Sequence, residues 1–112
     1  MDNFPAGIGV IAEDEVSEFI TADYTMICED DSMINARIFP GDTVYIRQQP
    51  VESGEIAAVC INGKLTLRRV YLYPEEGITT LRAENPQYRP VTYLIEDMPV
   101  LGKAVAFTAN IA

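Results

Sequence analysis

Histidine and tryptophan are absent from this sequence. Without histidine no Ser-His-Asp or Cys-His arrangement exists, and the commonest general base at neutral pH is missing. Cysteine is scarce: only Cys28 and Cys60 occur, each inside an apolar stretch. Two cysteines without a histidine do not make a zinc site, and no other motif calls for a metal or cofactor. Both read as reduced, buried, structural thiols, which suits a cytoplasmic chain. Basic residues are few, with 8 Lys and Arg against 17 Asp and Glu and a formal net charge of −9. A domain this acidic does not grip a phosphate backbone by itself. No apolar run approaches the ~18 residues of a membrane span. The opening "MDNFPAGIG" lacks the basic flank of a secretory signal.

What remains is enough for one small domain. Hydrophobic residues make up 48% of the 112, and six Tyr and four Phe supply bulk for a modest core. Residues 1–16 carry Pro5, Gly7 and Gly9, then Glu13, Asp14 and Glu15, and read as an extended arm. Residues 17–112 read as the folded domain. In "EFITADYTMIC", Tyr24, Met26 and Cys28 alternate onto one face of a strand. "SMINARI" (32–38) reads as one or two helical turns with Ser32 at the N-cap. "FPGD" is a turn, and "TVYIR" (43–47) a short strand. In 53–73, two apolar runs flank Asn62-Gly63, the strongest short hairpin cue. "PEEGITTLRAE", "VTYLI" and "VLGKAVAFTA" (100–109) add strands around the Pro-punctuated loop "NPQYRP" (85–90). The expected fold is mostly β: short antiparallel strands, partly barrel-like, with one short helix.

Ser32 follows three acids, Glu29, Asp30 and Asp31. By itself it is an N-cap behind a solvated charge patch. As a nucleophile it needs a base, and without histidine that base has to be a desolvated lysine. The lysines are Lys64 and Lys103.

The ordered set "SM", "PGD", "SGE", the Asn62-Gly63 hairpin, "LTLRRVY", "RAENPQYRP" and "VLGKAVA" resembles the C-terminal domain of LexA-type self-cleaving repressors. That family of serine peptidases includes phage repressors and UmuD-like mutagenesis proteins, and the resemblance runs from about Pro5 to Phe107. It implies that Ser32 stands at the nucleophile position and Ala6-Gly7 at the scissile bond in the arm. It also implies that Arg68 stands at the general-base lysine position, with Arg69 after it. Gly is usual two residues before the serine; Asp30 is there instead. Asp is among the side chains that best tolerate the left-handed backbone such a Gly can adopt.

The departure at the base has a magnitude. Neutralising a lysine of pKa near ~10.4 at neutral pH costs about 4–5 kcal/mol, and burial lowers that. For arginine, with a pKa up to ~13.8, the cost is roughly 9 kcal/mol. Arg68 is therefore not a competent base, and autocleavage at Ala6-Gly7 is expected to be absent or very slow. Lys64 precedes Arg68 by four strand positions, about 13 Å at ~3.3 Å per residue, on a solvated turn. Lys103 on the closing strand is the other lysine. Arg68 is expected to form an ion pair with Asp30 or Asp31.

The resemblance further implies a homodimer, stimulation by the RecA filament, and DNA contacts made only by an N-terminal helix-turn-helix domain. No stretch of this sequence has that domain's pattern, so the chain reads as part of a longer regulator. Two alternatives keep the fold: a non-catalytic oligomerisation or sensing module, and a UmuD-like partner of a lesion-bypass polymerase.

Overall fold

The structure, a computed structural model, describes residues 8–10 and 22–110. Ala6 and Gly7 lie outside the described residues. Among the described residues, eight strands form one antiparallel sheet: β1 (Ile8–Val10), β2 (Tyr24–Ile27), β3 (Thr43–Arg47), β4 (Ile56–Ile61), β5 (Lys64–Tyr73), β6 (Ile78–Arg82), β7 (Val91–Leu94) and β8 (Val100–Thr108). Their order in the sheet is β1-β2-β3-β8-β4-β5-β6-β7. The closing strand β8 thus inserts between β3 and β4 and joins the two halves.

The β4–β5 hairpin is as the sequence reading has it. Asn62 and Gly63 both take positive φ, 54° and 75°, as the tightest two-residue turn requires. That turn sets the register, pairing Ile61 with Lys64 and Ala57 with Arg68. Alternation then sends the two sides of the hairpin into different cores. Ala58, Leu65 and Leu67 join Met26, Cys28, Met33, Ile38, Val44 and Ile46 in one cluster. Ala57, Val59 and Val70 join Val51 and Leu81 in the other. The first cluster unites β2 and β3 with β4 and β5, although β8 separates them in the sheet, so the sheet curls over itself. Register shifts at Tyr45/Ile46 and Ala58/Val59, either side of β8, are where bulges add the needed twist.

The expected helix is reduced to a single 3-10 turn, Ile34–Ala36. Its cap position is Met33, with no side-chain capping bond, so Ser32 is not an N-cap. Arg37 ends the turn in a left-handed conformation at φ 67°. A second 3-10 turn, Ile95–Asp97, leads from β7 towards β8.

Candidate functional site

Ser32 lies on the segment that leaves the sheet after β2. Its base is closed by a pair of backbone bonds: Cys28 N–H donates to Asp42 O at 2.9 Å, and Gly41 N–H to Cys28 O at 2.7 Å. The Cys28 thiol is buried and donates to Asp30 O at 3.3 Å. Burial, aided by nearby carboxylates, pushes this thiol's pKa up, so it stays protonated and packs as an apolar group. Met33 is fully buried and anchors the far side of Ser32 in the first core cluster.

The loop after β6 clasps the segment from the other side. Asn35 N–H donates to Glu84 O at 2.9 Å, and Asn85 Nδ2 donates to Asp31 O at the same distance. The Tyr88 hydroxyl donates to Asp31 Oδ1 at 2.6 Å. That bond holds the Tyr88 proton and, with burial and the neighbouring negative charge, pushes its pKa up to about 12.

β5 supplies the remaining wall. Period-two alternation places Lys64, Thr66 and Arg68 along one side of the strand. Arg68 is 8% exposed, and Ser32 is wholly buried. Arg68 Nη1 donates to Ser32 Oγ at 3.0 Å, to Thr66 Oγ1 at 3.2 Å and to Leu67 O at 2.7 Å. Its plane sits over the Tyr88 ring, 5.3 Å from the centroid, a cation–π contact. The Arg68 Nε–H is buried without a partner. Thr66 Oγ1 in turn donates to Asp30 Oδ2 at 3.4 Å, and Lys64 Nζ lies 3.7 Å from the same oxygen. Asp30 Oδ1 accepts the Ser32 amide at 3.0 Å.

The electrostatics follow from these contacts. Burial would raise Asp30, but hydrogen bonds from Ser32 and the charges of Lys64 and Arg68 outweigh it and hold the carboxyl below its ordinary range. Burial lowers Arg68, while Asp30 and Tyr88 oppose the shift. A guanidinium lowered by burial from so basic a starting point still keeps its charge at neutral pH. Ser32 therefore sits between a donor-only cation and a carboxylate. Its oxygen accepts from Arg68, and the carboxylate beside it is that of Asp30.

Two sequence expectations change. Arg68 makes no ion pair with Asp30 or Asp31; its bonds go to Ser32, Thr66 and Leu67, and Thr66 relays it to Asp30. Asp30 does not use a left-handed backbone, since Arg37 and Asn62 are the non-glycine residues with positive φ among those described. Lys64 follows the turn and stays exposed, as expected, with Nζ 3.7 Å from Asp30 Oδ2. Lys103, engaged by Glu55 at 2.8 Å, makes no described contact with Ser32. Thr66, Asn85 and Tyr88 were not singled out from sequence. Alternation along "KLTLRR" does place Thr66 beside Arg68, but the clasp of the 84–88 loop is a long-range contact with no local signal.

Comparison with known proteins decides the family. The Peptidase S24-like family profile matches residues 2–105. The chain belongs to that family. It is 34% identical over 111 residues to the LexA repressor of Magnetococcus marinus, covering 90% of this chain and 47% of that protein. It is 32% identical over 105 residues to the LexA repressor of Desulfitobacterium hafniense, with 93% and 46% covered. The LexA repressor 2 of Geobacter sulfurreducens is 32% identical over 111 residues, with 89% and 54% covered. The chain thus spans about half the length of these curated relatives. Within the S24-like family it is a LexA-type C-terminal domain with a serine-peptidase-type fold, and its mostly-β sheet is as expected. Among the described residues no helix is long and apolar enough to cross a membrane, and no cluster of ligands is placed to hold a metal.

Proposed function

We propose that this is the dimerisation and self-cleavage-type domain of a bacterial or phage transcriptional regulator, with Ser32 at the nucleophile position, Arg68 at the base position and Ala6-Gly7 as the scissile pair. Autocleavage is absent or very slow. The observation that carries this reading is the 3.0 Å bond from Arg68 Nη1 to Ser32 Oγ. The guanidinium bonded to that hydroxyl donates where a base has to accept. DNA binding and any RecA response belong to the whole regulator.

In a competent form, a neutral lysine at position 68 takes the Ser32 proton as Oγ bonds to the Ala6 carbonyl carbon. The carbonyl electron pair moves onto oxygen. Collapse breaks the Ala6–Gly7 C–N bond, and the proton passes to the Gly7 amine. Water then releases the acyl-serine.

Arg68→Lys, incubated at about pH 9 to favour neutral lysine, is expected to be cut between Ala6 and Gly7, read by intact-mass spectrometry. Arg68→Lys with Ser32→Ala is expected to stay whole. A lysine variant that stays uncut on prolonged incubation, with Asp30 replaced as well as present, would overturn the scissile assignment.

A further inference from the structure

We infer that Asp30 is a second lock on the same site: its carboxylate occupies the Ser32 amide that would otherwise stabilise the oxyanion of self-cleavage. The inference rests on Ser32 being the nucleophile position, and goes beyond it to a residue whose role is separate from that of Arg68.

The nucleophile's own amide lies beside its Oγ, and in serine acyl transfer it is a recurring donor to the tetrahedral oxyanion. Such a donor has to stand free, about 2.7–3.1 Å from where the oxygen will be. Here the Ser32 N–H is given to Asp30 Oδ1 at 3.0 Å. An amide has one hydrogen, so a new acceptor has to displace the old one. The carboxylate is not free to swing away. Its other oxygen receives Thr66 Oγ1 and lies 3.7 Å from Lys64 Nζ. Two residues of β5 hold it over the amide. The occupant is also an anion, so a developing oxyanion there meets a like charge as well as a filled donor.

Restoring a base at position 68 leaves this arrangement in place. Arg68→Lys alone is therefore expected to cut slowly, and removing the carboxylate is expected to speed it. Loss of a single oxyanion donor slows acyl transfer on the order of 100-fold or more, which sets the scale of the gain.

The test compares autocleavage rates of four chains under one condition: Arg68→Lys alone, and Arg68→Lys combined with Asp30→Asn, Asp30→Ala or Asp30→Gly. Thermal melts confirm that each is folded. The expected order is Gly and Ala fastest, by on the order of 100-fold over Arg68→Lys alone, with Asn between, since its amide oxygen still takes the Ser32 N–H but carries no charge. Should Asp30→Gly fail to fold, Ala and Asn give the same ordering. A residue that only holds the loop in shape predicts the opposite sign, slower cutting once it is removed. Equal or slower rates in the Asp30 variants would overturn the lock and leave the Ser32 and Ala6-Gly7 assignments standing. No cut in any of the four would overturn both.

Discussion

At the scale of single residues, the site is a chain of donors and acceptors whose ends are fixed by opposite charges. Arg68 feeds Ser32 and Thr66, Thr66 feeds Asp30, and Tyr88 feeds Asp31. The Tyr88 proton is a reporter of this clasp. Its folded-state pKa, about 12, stands above the ordinary 10.0, so folding favours the protonated phenol. The stability it contributes is complete below the ordinary value and is lost as pH rises through the folded one. An ultraviolet titration of the six tyrosines is expected to show one late phenol, abolished in Tyr88→Phe. A late phenol surviving in that variant would assign the shift elsewhere. That Ser32 and Arg68 come together was expected from the sequence because both sit inside a recognisable order of short motifs. The direct Arg68–acid pair expected there does not form. A threonine hydroxyl bridges the two charges, accepting from Arg68 and donating to Asp30, without the guanidinium reaching the carboxylate.

Elements were legible where local chemistry decides them. "TVYIR" is β3 residue for residue, and Asn62-Gly63 makes its turn. The helix was not, because Ser32 is drawn into the Asp30 and Arg68 contacts rather than left to cap the turn. The position of β8 was also invisible, since nothing local states that the last strand runs between the third and fourth. The structure shows what permits it. A Cβ on Gly102 would lie 2.6 Å from Ile46 Cγ2 and 2.9 Å from the Arg47 carbonyl oxygen. The side chain can yield; the backbone oxygen has to move with its strand. Gly102→Ala is expected to lower stability by about 1–3 kcal/mol, measured by denaturant melts. An unchanged midpoint would show that β3 and β8 part more easily than their register implies.

At the scale of the whole molecule, charge and surface point the same way. A net charge of −9 works against contact with a phosphate backbone. Phe107, 42% exposed, lies with Ile38, Val44 and Ala104 along one apolar groove beside β8. The proposed dimer offers one way of covering such a groove. Size-exclusion chromatography with light scattering is expected to give twice the 12.4 kDa chain mass at micromolar concentration, and Phe107→Glu is expected to shift it towards the monomer. A monomer at all concentrations would remove dimerisation from the proposed role.

The pairing of β1 with β2 has a consequence of its own. Ile8 stands opposite Met26 and Val10 opposite Tyr24, so three residues of the arm guard the outer edge of β2. An edge so briefly guarded is open to exchange, because a matching strand from another copy can form the same backbone ladder. What relates 8–10 to β2 is a main-chain register, Ile8 to Met26, Gly9 to Thr25 and Val10 to Tyr24, which a second copy of the same strand can reproduce.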